Sequence, residues 1–269
     1  MDKTILVILD ACRFDAAKRN LGYIESLIDY KKGAKYRLWG ELPSLSRTMY
    51  ATMLTGLPAW QHGITDNEVN FTLTCDHLFS LCRRAGGVTA AASYGWMSEL
   101  FDHGPFDLVR DRYQLESEGN ISHGIFYVHD DYPDNHLFAD GEYLRKTYQP
   151  DFLLYHSMAI DRQGHLHGAG SVQYEKAVCE AGYILAGLLP QWLKEGWQVV
   201  ITADHGMNEM GIHGGTDSAQ REIPLYIFSD KVRPGRFEEQ EMTGLCVAPL
   251  LCRLLGITSG EGMIHEQIL

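Results

Sequence analysis

Positive charge is scarce in this chain: 23 Lys and Arg stand against 35 Asp and Glu, for a formal net charge of −12. A polyanion such as DNA or RNA is repelled by that average field, which excludes extended nucleic-acid binding. No apolar run is long enough to span a membrane, and the N-terminal MDKTILVILDA is too short and lacks a small-residue cleavage site. These absences predict a cytoplasmic protein with no membrane partner. None of the six cysteines forms a CxxC pair, and several lie in apolar stretches such as CVAPLLCRLL. Buried free thiols are therefore expected, not disulfides or a zinc knuckle. Low-complexity linkers and internal repeats are also missing. At 269 residues, with 45% apolar and 22% charged residues, the chain can bury a sizeable core.

Short apolar runs recur between helical stretches. Residues 4–9, 88–93, 106–109, 151–156, 198–202 and 224–228 read as strands. Several are apolar at consecutive positions, as strands covered on both faces are. Residues 47–55, 75–84, 172–193 and 247–255 read as helices, the third kinked or ended early by Pro190. This alternation predicts an α/β fold, a three-layer α/β/α sandwich around a mostly parallel central sheet. Residues 111–140, polar and aromatic with no clear period, read as a small cap insertion over the site within a single domain of residues 1–269.

The chemistry-bearing residues fall at the ends of these strands. ILVILDACRFD places Asp10 after an apolar run, and AIDRQGHLHG offers Asp161 and His165 at an i, i+4 spacing. ITADHGMNEMGIHGG supplies Asp204 and His205, then His213 in a glycine-rich turn. Ligands bind at the carboxyl ends of strands in such sheets, so the three clusters are expected to share one site. Carboxylate and imidazole together suit Zn²⁺ or Mn²⁺, and six ligands suffice for two ions. In LPSLSRTMYATMLTG, Ser46 stands at the start of a helix, where a hydroxyl caps the helix or faces a bound phosphate. Taken alone, that segment favours capping.

The order of these motifs resembles the alkaline phosphatase superfamily, in particular its type I phosphodiesterase/nucleotide pyrophosphatase branch. Pro43, Ser46, Thr55–Gly56, Pro58, His62–Gly63–Ile64 and Asn67 match that branch's nucleophile segment. Asp10, the Asp161–Gly164–His165 motif and Asp204–His205–Gly206 complete the pattern, which extends from residue 4 to about 228. Two positions depart from it: Ser46 stands where Thr is frequent, and His213 follows His205 far sooner than the last metal ligand of that branch commonly does. Sulfatases carry a CxPxR or SxPxR pattern that PSLSRTM lacks. The related mutases carry inserted domains for which this chain has no room.

The resemblance implies one metal on Asp161, His165 and His213 and another on Asp10, Asp204, His205 and Ser46, with Asn67 donating to a phosphate oxygen. Zn²⁺ is the expected ion and Mn²⁺ the alternative. Three aspartates, two divalent ions and a Ser46 alkoxide sum to neutrality, which suits a phosphodiester monoanion. A dianionic monoester would want a further cation, for which Arg47 is the candidate. The expected activity is hydrolysis of a small phosphate ester through a Ser46 phospho-enzyme, as a phosphodiesterase or nucleotide pyrophosphatase. A phosphomonoesterase or phosphonate hydrolase, and a non-catalytic binder of phosphorylated ligands, are the alternatives. His62 is expected to be structural. Tyr50, Tyr94, Trp96 and Tyr155 are read either as pocket wall or as core. The sequence does not settle the oligomeric state.

Overall fold

The computed structural model describes residues 1–69, 71–263 and 268. Its centre is a nine-stranded sheet: β1 (Thr4–Leu9), β2 (Ala34–Trp39), β3 (Thr89–Tyr94), β4 (Tyr113–Gln114), β5 (His123–Tyr127), β6 (Phe152–Ser157), β7 (Gln198–Thr202), β8 (Glu222–Phe228) and β9 (Gly235–Thr243). The order across the sheet is β4-β5-β3-β6-β1-β7-β8-β2-β9. From β5 to β7 the strands run parallel. β8 is antiparallel to both of its neighbours, and the β2–β9 pair beyond it is again parallel.

Every residue of β1 is buried, as the unbroken TILVIL run requires of a strand covered on two faces. Helices Phe14–Asn20, Gly22–Asp29, Asp134–Tyr148 and Val172–Lys194 pack together as one layer. Ser46–Thr55, Leu78–Arg84, Trp96–Phe101 and Val247–Leu255 make the other. The expected α/β/α arrangement is the one observed.

Three expectations need correction. Residues 106–109 are not a strand. Asp107 accepts from the backbone N–H of Val109 and Arg110 and caps a short helix, Leu108–Asp111, on which Val109 is 96% exposed. Helix Val172–Lys194 does not end at Pro190 but continues past it, with Leu185, Leu189 and Trp192 on either side buried in the core. Residues 111–140 are not without regular structure. They supply β4 and β5 to the sheet edge and the first turns of helix Asp134–Tyr148, which packs on β3 and β6.

Candidate metal and nucleophile site

All the predicted ligands converge at the carboxyl ends of the parallel strands. Asp10 directly follows β1, and Asp204 and His205 follow β7. Asp161 and His165 sit on helix Ala159–His167, which leaves the end of β6. His213 lies on a turn pressed against that helix. At Gly211, φ is +75° and an added Cβ would meet the Gly164 carbonyl at 2.8 Å, so glycine is required there.

Asp10, Asp204 and His205 offer ligand atoms within 4.8 Å of one another, and so do Asp161, His205 and His213. His165 joins the second group, its Nε2 lying 3.4 Å from Asp161 Oδ1 and 3.3 Å from His213 Nε2. His205 stands between the groups, stacked on the His213 ring at 3.8 Å and 3.4 Å from Asp10 Oδ1. The imidazoles are oriented alike. Nδ1 of His165, His205 and His213 lies 2.9, 2.9 and 3.0 Å from the carbonyls of Gly211, Gly206 and Ser44. A carbonyl can only accept, so the proton is on Nδ1 and each Nε2 keeps a lone pair for a cation.

The carboxylates tell the same story. Asp10 Oδ1, Asp161 Oδ1 and Asp204 Oδ2 are buried with no hydrogen-bond partner among the described residues. Leaving such oxygens unmatched costs several kcal/mol unless a cation meets them. Burial pushes the Asp161 and Asp204 carboxyls well above the usual range, and the nearby Asp10 charge adds to the rise. Asp10 is buried too, yet bonds from His156 and Tyr50 and the field of His205 bring it down to about 2. Burial depresses His205, and takes His213 down to about 3. The donor set fits two divalent ions of the borderline type.

Ser46 opens helix Ser46–Thr55 and is 3% exposed. The N-cap is Leu45, with no side-chain cap bond, so Ser46 does not cap this helix. Its Oγ instead lies 3.0 Å from His205 Nε2. Ser44 fastens the other wall, donating to the Gly215 carbonyl and accepting from Gly214 N–H.

Asn67 is half-buried, and its Oδ1 accepts the Arg47 backbone N–H at 3.0 Å. That bond fixes the amide orientation and leaves the side-chain NH₂ as the donating end. Arg47 does not reach the metal groups. Its guanidinium bonds Glu99 Oε2 at 2.8 Å and the Val69 carbonyl at 3.0 Å, and lies 4.5 Å from the centre of the Trp96 ring. Arg47 is therefore neutralised where it stands.

His156, which the sequence reading passed over, is fully buried on β6 with Nε2 3.0 Å from Asp10 Oδ2. Tyr50 donates to the same oxygen, so it belongs to the site's support and not to a pocket wall. Tyr155 is core, bonded to Glu142, whereas Tyr94 and Trp96 line a cavity beside Arg47. His62 is structural, with Nε2 3.0 Å from Thr52 Oγ1.

The family model for type I phosphodiesterase/nucleotide pyrophosphatase matches residues 4–220. Catalytic subunits of GPI ethanolamine phosphate transferase 3 are similar along the chain. The Mus musculus protein is 22% identical over 294 residues, covering 98% of this chain and 25% of the relative, and the Homo sapiens protein is 24% identical. The chain thus spans about a quarter of the length of these relatives. Murine ectonucleotide pyrophosphatase/phosphodiesterase 5 superposes with a TM-score of 0.75 at 14% identity, covering 98% of this chain and 97% of that one. Alkaline phosphatase PafA does so with 0.74 at 12% identity, covering 98% of each chain. Among the described residues no helix is long and apolar enough to cross a membrane.

Proposed function

The chain belongs to the type I phosphodiesterase/nucleotide pyrophosphatase family, and on that premise we propose that it cleaves small phosphodiesters through a Ser46 phospho-enzyme. Asp161, His165 and His213 would hold one divalent ion, and Asp10, Asp204, His205 and the Ser46 oxygen the other, with Zn²⁺ preferred over Mn²⁺. Such ions, when bound, lower the pKa of a coordinated hydroxyl and offset charge on the phosphoryl oxygens.

This chain's own residues supply the rest. Ser46 Oγ forms its bond to phosphorus as the bond to the leaving-group oxygen breaks, and the hydroxyl proton passes to solvent. Asn67 donates from its fixed amide to a non-bridging oxygen, an interaction worth more as charge gathers there. Water then attacks phosphorus, the phosphorus–Oγ bond breaks, and the serine is restored.

The observation that carries this reading is the Ser46 Oγ position, 3.0 Å from His205 Nε2 and released from capping duty. The Arg47–Glu99 pair supports a diester preference, because the cation next to Ser46 is already paired with a carboxylate and not free for a second phosphate charge. A paired assay with bis-p-nitrophenyl phosphate and p-nitrophenyl phosphate on metal-replete protein tests it. Faster diester turnover is expected. Faster monoester or phosphonate turnover would move the chain to those alternatives, and metal binding without turnover of any ester would make it a binding module.

A second reading differs only in the last step. The relatives similar along the chain are named as ethanolamine phosphate transferases. The same phospho-enzyme resolved by an alcohol in place of water makes a transferase. Product analysis with an added alcohol acceptor separates the two.

A further inference from the structure

We infer that Tyr174 is a positioning residue for the ion of Asp10, Asp204 and His205: its hydroxyl locks a strained backbone turn at Ala11 from which both aspartates are aimed. The assignment rests on the two-ion reading above. Ala11 directly follows Asp10 and has a φ of +58°, in the left-handed region. There the Cβ of an alanine crowds the neighbouring carbonyl, a penalty that glycine escapes. A residue other than glycine stays in such a conformation only where its surroundings over-determine it.

Those surroundings are hydrogen bonds on every side of the turn. Asp10 N–H donates to the Ser157 carbonyl at 3.0 Å, and Cys12 N–H to the Leu9 carbonyl at 3.1 Å. Ala11 N–H donates to Asp204 Oδ1 at 3.1 Å, which fixes that carboxylate and leaves Oδ2 as its oxygen without a hydrogen-bond partner among the described residues. The Ala11 carbonyl accepts from the Tyr174 hydroxyl at 2.7 Å. If Ala11 relaxed out of the left-handed region, its peptide planes would turn, and Asp10 and the bond to Asp204 would turn with them.

Tyr174 is built to prevent that. It is fully buried, in the first turn of helix Val172–Lys194, which Ser171 caps by accepting the Tyr174 N–H. Its hydroxyl donates to the Ala11 carbonyl and accepts the Arg13 N–H at 3.0 Å, so one oxygen brackets the turn from Ala11 to Arg13. The ring lies under helix Ala159–His167, where a Cβ added to Gly164 would meet it at 3.4 Å. Tyr174 thus stands behind the ligands and acts through them.

Equilibrium dialysis with Zn²⁺ tests this on wild type, Tyr174→Phe, and Tyr174→Phe combined with Ala11→Gly. Phenylalanine keeps the ring and removes both bonds. One Zn²⁺ equivalent should weaken by about tenfold to a hundredfold, the usual effect of a lost ligand support, while the other holds. Added to Asp204→Asn, which lacks the affected ion, Tyr174→Phe should leave the remaining affinity unchanged. Glycine takes the left-handed turn without penalty, so Ala11→Gly should return most of the lost affinity. A tyrosine that only fills the core would weaken both ions together, with no recovery from glycine. Unchanged affinity in Tyr174→Phe, equal weakening of both ions, or no recovery with Ala11→Gly would overturn the role of Tyr174 while leaving the two-ion site standing. If Tyr174→Phe alone does not fold, the double variant decides: it should fold and hold both ions, and a double variant that does not fold, or folds with one ion, would overturn the role. Wild type that binds fewer than two ions would overturn the two-ion reading as well.

Discussion

Asp10 divides its carboxylate between His156 and the candidate metal site: Oδ2 accepts from His156 at 3.0 Å, while Oδ1 has no hydrogen-bond partner among the described residues and faces His205 Nε2 at 3.4 Å. Asp10 directly follows β1 and His156 lies on the neighbouring strand β6, with Ile8 of β1 in register with His156. A ligand held at one oxygen presents the other at a fixed angle, and loss of such a support typically costs tenfold to a hundredfold in metal affinity. His156→Ala should weaken one metal equivalent by about that factor, read by equilibrium dialysis, with partial recovery in His156→Gln. Unchanged affinity in His156→Ala would remove His156 from the metal's support.

Asp204 carries a conflict between stability and metal binding. Its folded carboxyl is raised well above the ordinary 3.8 by burial and then by the Asp10 charge. A folded pKa above the unfolded one means that the folded state holds the proton longer. Its contribution is therefore present at low pH and is lost as pH rises through the folded value. In chelated protein at neutral pH, Asp204→Asn should raise stability by on the order of 1 kcal/mol or more, and the gain should shrink as pH falls toward 4. With Zn²⁺ present the same variant should lose one metal equivalent. Denaturant midpoints with and without chelator check both halves, and an Asp204→Asn protein less stable than wild type in chelator would contradict the first.

Arg47 and Glu99 form a buried pair, 4% and 9% exposed. Removing one partner strands the other, at about 3–5 kcal/mol. Arg47→Met alone should cost that much in urea denaturation, and combining it with Glu99→Gln should recover a large part. Additive losses in the double variant would show that the pair is not coupled.

The clustering of the carboxylates and imidazoles was legible because Asp10, Asp161 and Asp204 lie just after apolar runs read as strands, and strand ends in a parallel sheet face one crevice. His156 was illegible because it is one polar residue inside FLLYHS, and its partner Asp10 comes from a distant part of the chain. Arg47 could be singled out beside Ser46, but nothing in WMSELF marked Glu99 as its partner. β2 and β9 were also missed. Their mixed AKYRLW and GRFEEQEMT sequences gain strand structure from pairing with each other and from the β2–β8 pairing, not from an apolar run of their own. The polar 111–140 stretch misled in the opposite direction, because short edge strands carry little hydrophobic signal.

The central claim is that the Ser46 oxygen is the attacking group, and its most direct measurement is the turnover of bis-p-nitrophenyl phosphate by Ser46→Ala protein loaded with Zn²⁺. The account predicts near-normal metal content, since the aspartates and imidazoles remain, no phospho-enzyme by intact mass, and a rate lower by on the order of a hundredfold or more, with residual turnover from metal and positioning alone. A Ser46→Ala protein that turns over this diester at the wild-type rate would contradict it and assign the attack to water.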